Sequence, residues 1–280
     1  MPEISTLLGP MAYTDDGSGP SLVFVHGFLF DKTMWAPQIE HFTPLGYRVL
    51  CIDMVGFGAS TGNAGLIPMS AHTLALTAML DACGIERAIL IGYSMGGQVV
   101  LDFLGANPSR ATAVVLSDTF AGLDTSEGRA ARLALADRLE FEGAHGYSEE
   151  FLPLVLSDRS MDNRPDVVTR ARAMMAGATA STAAAALRGR AERPDYTGTA
   201  RTISIPALVI VGAEDHFDRG VLGVELAAAI PGCRFAVVDQ AGHTPSMEAP
   251  LDFNTAVQRF LDSISDPTEH PALRSISPGG

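Results

Sequence analysis

Cysteine, tryptophan, positive charge and long apolar runs are all scarce in this sequence of 280 residues. Its three cysteines, Cys51, Cys83 and Cys233, lie far apart in apolar surroundings, which argues against a disulfide framework and against thiolate metal sites. Reduced, buried thiols in a cytoplasmic protein are the expectation. Lysine and arginine number 19 against 32 acidic residues, a net charge of −13. That balance argues against nucleic acid and anionic membrane surfaces as partners. No apolar stretch approaches the roughly 20 residues that span a bilayer. Met1-Pro2-Glu3-Ile4 lacks a basic start followed by an apolar run, so no secretion signal is expected. A soluble cytoplasmic protein with a small-molecule partner is the reading, and self-association stays open.

What is present is globular. Hydrophobic residues make up 47% and charged residues 18%, which excludes disorder, collagen and coiled coil as the main architecture. The length suits one large domain or one domain with an insertion. A chain this long buries roughly three quarters of its unfolded surface and needs neither disulfide nor metal to fold.

Period and punctuation divide the chain. Leu22-Val23-Phe24-Val25, Arg48 to Ile52, Ala88 to Ile91 and Val114 to Leu116 are near-continuous apolar runs, as in parallel strands covered on both faces. Ser70 to Cys83 reads as a helix between them, with Leu74, Ala78 and Leu80 at helical spacing and Gly84 as its stop. Alternation of strand and helix predicts an α/β fold with helices on both faces of the sheet. From Phe120 to Thr202 the composition turns to Ala, Arg, Met and Glu, with helical stretches at Gly128 to Phe141, Pro165 to Met175 and Ala183 to Leu187. The alternation then returns as strand Ala207 to Val211, helix Val221 to Ile230, strand Arg234 to Val238 and helix Pro250 to Leu261. Residues 1–119 and 203–264 are therefore expected to form the core and 120–202 a helical cap. Residues 265–280, polar and proline-rich, are expected to be disordered.

The strongest chemical signal is Gly92-Tyr93-Ser94-Met95-Gly96, a G-x-S-x-G between a strand and a helix. A nucleophilic serine on so sharp a turn needs neighbours without side chains, and the helix start behind it offers unpaired N–H groups to an oxyanion. The bland alternative is an ordinary glycine-rich connection. Upstream, His26-Gly27-Phe28 ends a strand, so the N–H groups of Phe28 and Met95 are the expected oxyanion donors. The His26 ring is read as structural. Serine needs a base held by an acid. His243, in Ala241-Gly242-His243-Thr244-Pro245, follows the last strand, and Asp215, in Gly212-Ala213-Glu214-Asp215, follows the one before. Asp118 competes as the acid, but the Gly-x-x-Asp spacing favours Asp215. Asp53 is read as a loop organiser and Trp35 as packing. His41, His72 and His270 are read as satisfied surface residues. No metal and no cofactor are expected.

With these residues in order, the chain resembles the α/β-hydrolase fold enzymes from about Met11 to Ile264. The resemblance rests on His26-Gly27-Phe28, Asp53 to Ser60, the serine turn, Asp215 and Gly242-His243. It implies a mostly parallel, eight-stranded sheet with a helical cap inserted after the sixth strand. Gly-Tyr-Ser-Met-Gly-Gly with His-Gly-Phe is most similar to small esterases and lactonases of the 3-oxoadipate enol-lactonase type. Cofactor-free haloperoxidases, or perhydrolases, share the pattern. Dehalogenases and epoxide hydrolases carry aspartate where this chain has Ser94, which counts against them. Carbon–carbon bond hydrolases commonly show Asn where Tyr93 stands and a Gly-rich stretch where Phe28-Leu29 stands.

The leading expectation is a serine hydrolase of small esters or lactones acting through an acyl-enzyme. Carbon–carbon hydrolysis of a vinylogous diketone and a non-catalytic binding protein are its rivals. The cap, poor in aromatics, is expected to enclose a compact apolar cavity, with Met161, Met174 and Met175 as candidate lining. Arg129, Arg132, Arg170 and Arg172 are read as a solvated face, and any one turned inward would favour a carboxylate-bearing substrate.

Overall fold

The computed structural model describes residues 2–6, 9–60 and 65–265. Strands β1 (Glu3–Thr6), β2 (Gly9–Gly17) and β3 (Ser21–Val25) lead to helix α1 (Ala36–Phe42). Strand β4 (Arg48–Ile52), helix α2 (Met69–Ala82), β5 (Ala88–Tyr93), α3 (Met95–Ala106) and β6 (Ala111–Ser117) follow. Six helices intervene before the next strand: α4 (Ser126–Glu142), α5 (Ala144–Val155), α6 (Asp158–Asn163), α7 (Pro165–Gly177), α8 (Ala180–Ala191) and α9 (Thr197–Thr202). The chain closes with β7 (Ala207–Gly212), α10 (Val221–Ala229), β8 (Arg234–Val238), α11 (Pro245–Glu248) and α12 (Pro250–Ser265).

The strands form one eight-stranded sheet in the order β1-β2-β4-β3-β5-β6-β7-β8. The β1–β2 and β2–β4 pairings are antiparallel and the other five are parallel. Every residue of β5 and of β7 is buried, so both faces of the middle of the sheet are covered, as the continuous apolar runs predicted. The first two strands escaped the sequence reading because they are polar. In β2, Asp15 makes a two-pronged ion pair to Arg48 of β4, at 2.8 and 2.7 Å, in place of apolar burial. Among the described residues no helix is long and apolar enough to cross a membrane. The expected disordered tail falls outside the described residues, apart from Ser265 at the end of α12.

Parallel register aligns the C-terminal ends of the strands. Val25 of β3 pairs with Gly92 of β5, and Gly92 with Leu116 of β6. Loops leaving β3, β5, β6, β7 and β8 therefore emerge along one edge, where α/β sheets bind their ligands. Behind this edge Asp53 ties its loop together, accepting from Lys32 N at 2.7 Å and Ala59 N at 2.8 Å and pairing with Lys32 Nζ. The His26 ring is also structural: its Nδ1 lies 2.8 Å from Gly27 O, and its Nε2 accepts the Met54 N–H at 2.9 Å. Trp35 is fully buried with its ring 4.9 Å from that of Phe24.

Helix α2 corrects the sequence reading in phase. Leu74 is 60% exposed, whereas His72 is buried at 2% with no partner for either ring nitrogen among the described residues. Burial, aided by nearby His26, pushes the His72 pKa down to about 3. The unfolded chain therefore binds this proton more readily than the folded one, and His72 costs stability as pH falls from 6.5 towards 3. Substituting His72→Leu is expected to flatten the stability slope by up to about 1.4 kcal/mol per pH unit in that window. Urea midpoints of both proteins at pH 7, 6 and 5 check this. Identical slopes would contradict it.

Candidate active site

Ser94 sits between β5 and α3 with φ 50° and ψ −117°, a backbone region that costs a serine on the order of 1–3 kcal/mol. The turn is held from several sides. Ser94 N donates to Ser117 O at 2.9 Å, and Ser94 O accepts from Gly97 N at 3.0 Å and Thr119 Oγ1 at 2.7 Å. A Cβ at Gly92 would lie 2.7 Å from Gly96 O, and one at Gly96 would strike the backbone carbonyls of Val25 and His26. Both glycines of the motif are steric necessities, as the sequence implied.

The three groups expected to meet are in contact. Asp215 follows β7 and His243 follows β8. His243 Nδ1 is 2.7 Å from Asp215 Oδ2, and its Nε2 is 2.9 Å from Ser94 Oγ. A carboxylate only accepts, so the ring proton belongs on Nδ1 and Nε2 is left to accept from the Ser94 hydroxyl. Burial works to raise the Asp215 pKa, but the charge and hydrogen bond of His243, with the Phe217 N–H, outweigh it and hold the carboxyl below its ordinary range. The Phe217 ring packs edge-on against His243 at 4.6 Å. The Phe28 and Met95 N–H groups have no acceptor among the described residues.

Asp118, the competing acid, also lies close by. Its Oδ1 accepts from Gly212 N at 2.8 Å and its Oδ2 from Ser117 Oγ at 2.6 Å. Burial and the Asp215 carboxylate push its pKa well above the ordinary range. It bonds to the frame, not to the imidazole. Ligand atoms of Asp118, Asp215 and His243 all lie within 4.8 Å of one another, but a cation entering there would have to displace the Asp215–His243 hydrogen bond.

The His243 loop is anchored by Glu248, which the sequence reading missed. Its Oε1 accepts from Gly242 N at 3.0 Å and from Thr244 Oγ1 at 2.8 Å, while Oε2 accepts from Ser157 N at 2.7 Å. Gly242 was expected to give the ring room. Its observed reason is different: a Cβ there would lie 2.6 Å from Ser157 N, on the segment between α5 and α6.

Ser94, His243 and Asp215 open on a cavity of about 300 Å³, lined from the far side by Phe120, Leu135, Tyr147, Phe151, Leu187 and Arg190. The lining corrects two expectations. It is aromatic, with Tyr147 stacked on Phe151 at 5.4 Å, whereas Met174 and Met175 are packed into the core. Arg129 and Arg172 are exposed and paired with Glu192 and Glu149, as a solvated face should be. Arg132, however, lines the cavity in a two-pronged pair with Asp124, at 3.1 and 2.9 Å. Arg190 was not singled out at all. Its Nε donates to Gln98 Oε1 at 2.8 Å, and burial together with Arg132 lowers its pKa to about 9, so it remains charged at neutral pH. Nothing in its Ala-rich stretch marked Arg190 as inward-facing.

The chain is similar in sequence and fold to several known proteins. A thermophilic esterase from Thermogutta terrifontis superposes with a TM-score of 0.90 at 33% identity, over 94% of this chain and 98% of that one. The 2-hydroxy-6-oxononadienedioate/2-hydroxy-6-oxononatrienedioate hydrolase of Cupriavidus pinatubonensis is 30% identical over 262 residues, 88% of this chain and 89% of its own. The 3-oxoadipate enol-lactonase 2 of Acinetobacter baylyi is 28% identical over 242 residues, 86% and 88% of the two chains. The family model for the alpha/beta hydrolase fold matches residues 20–250, and the chain belongs to that family as a hydrolase enzyme.

Proposed function

We propose that the protein hydrolyses a small ester or lactone through an acyl-enzyme. The observation that carries this reading is the continuous chain of hydrogen bonds from Ser94 Oγ through the His243 ring to Asp215, opening on a cavity of about 300 Å³. Ser94 Oγ attacks the carbonyl carbon and its proton passes to His243 Nε2. The carbonyl oxygen becomes an oxyanion held by the N–H groups of Phe28 and Met95. Collapse breaks the bond to the leaving oxygen, which takes the proton from His243. In a lactone that alcohol stays tethered to the acyl group. Water then repeats the sequence on the acyl-enzyme and releases the acid and Ser94. Asp215 fixes the ring tautomer and stabilises the imidazolium. Every step is proton or acyl transfer between side chains and substrate, so the reaction calls for no cofactor.

In this reading residues 1–119 and 203–264 carry the chemistry, and 120–202 act as a cap that excludes water and grips the substrate. Three unpaired thiols, with Cys51 buried, suit a reducing compartment, and the enzyme is placed in the cytoplasm. The test is labelling by a fluorophosphonate, followed by a panel of γ-lactones, aryl esters and a vinylogous diketone. A single adduct on Ser94 and turnover of lactones or esters are expected. No adduct would overturn the serine mechanism, and turnover of the diketone alone would move the enzyme to carbon–carbon hydrolysis.

A further inference from the structure

Arg190 is the one cation on the cavity wall that no acidic group answers among the described residues. Arg132 is neutralised by Asp124, His243 is paired with Asp215, and Asp218 is occupied by the N–H groups of Gly220 and Leu222 at the start of α10. Among the described residues Arg190 has a single hydrogen bond, from Nε to the neutral amide of Gln98, and neither Nη has a partner there. Its electrostatic neighbours make matters worse: Arg132 and Arg193 repel it, and Asp124 is already held. The Phe120 ring, 5.7 Å from its guanidinium carbon, covers one side. Arg190 is half-buried, and its free end is open to the cavity it lines. An anionic ligand there would supply the opposite charge it lacks.

The geometry also says which edge of the guanidinium is offered. Gln98 occupies Nε, so the free pair is the end-on fork of Nη1 and Nη2, whose spacing matches the two oxygens of a carboxylate. Gln98 orients this fork without quenching its charge. It is fully buried and sits on α3 four residues beyond Ser94, about 6 Å along the helix axis. Arg190 stands on α8, across the cavity from the sheet. The Gln98–Arg190 contact therefore sets the fork's position relative to the nucleophile from two separate elements.

We propose that Arg190, oriented by Gln98, is the specificity residue of the cavity, and that the substrate is a small ester or lactone bearing a carboxylate. This rests on the serine-hydrolase reading and adds to it the charge of the substrate.

The experiment compares methyl hydrogen succinate with methyl butanoate, which differ by a carboxylate in place of a methyl group. Wild-type enzyme is expected to favour the half-ester in kcat/KM by at least about 10²-fold, since a site built for a polar group rejects the analogue lacking it. Arg190→Met is expected to bring the ratio to within about threefold of one. Fluorophosphonate labelling of Ser94 in the same sample reports that the variant is folded. Arg190→Lys should give an intermediate ratio, because a point charge cannot form the fork. Gln98→Leu should raise KM for the half-ester more than it lowers kcat. If Arg190→Met fails to fold, the wild-type ratio and the Arg190→Lys ratio still decide. A wild-type ratio at or below one, or a ratio indifferent to every substitution at Arg190, overturns the proposal. A wild-type enzyme that is neither labelled nor active on methyl butanoate would instead overturn the underlying mechanism.

Discussion

Replacing Ser94 by alanine is expected to lower kcat by about 10⁶-fold, because the remaining members of the relay have no nucleophile to activate. The fold should survive. The hydroxyl makes its contact with His243 and none with the packed interior, and the hydrogen bonds that hold the turn come from the Ser94 backbone. Alanine inherits the left-handed φ, so its melting temperature should stay near that of wild type. Ser94→Gly should be equally inactive yet more stable by about 1 kcal/mol, since glycine adopts that backbone without strain. Initial rates on any ester accepted by wild type, read beside calorimetric melts, check both. Full activity in folded Ser94→Ala would end the proposed mechanism.

The second large effect concerns the acid. Asp215→Asn should lower kcat by about 10⁴-fold, because an amide in this place can donate to Nδ1 and so favours the tautomer that cannot take the serine proton. Asp118→Asn should cost less than about tenfold. Its Oδ1 would still accept the Gly212 N–H, and no bond to the imidazole would be lost. The two carboxyls lie close together, and Asp215 is the stronger acid because the imidazole faces it, while burial and the Asp215 charge hold Asp118 above its ordinary range. Single-turnover rates of the two variants under one set of conditions separate them. A reversal in their order would give the orienting role to Asp118.

The meeting of Ser94, His243 and Asp215 was legible in the sequence because it depends on local chain order. A glycine-flanked serine after an apolar run, then an aspartate and a histidine each following a later run, map directly onto strand ends in a parallel sheet. Features that depend on which face of a helix turns inward were not legible. Leu74 and His72 exchanged their expected environments for this reason. The cavity's aromatic wall was hidden similarly: Tyr147 and Phe151 lie in α5, whose run contains Pro153, a residue that argues against helix in a sequence. Arg190 and Gln98 are 92 residues apart. Neither suggests the other until α8 is laid over α3.

The Ser157–Glu248 bond has a consequence for how such an enzyme changes over time. Glu248 steadies the loop that presents His243, and the helical insertion reaches this carboxylate through the backbone N–H of Ser157. A backbone donor is indifferent to the side chain that carries it, and only proline lacks it. The helices above the cavity are thus free to drift in sequence, or to be exchanged for those of a relative, while the connection to the histidine loop persists. Glu248 has no such freedom, because its two oxygens serve donors on both sides of the boundary. Under the proposed function, selection can rewrite what the enzyme accepts without rebuilding what makes it react.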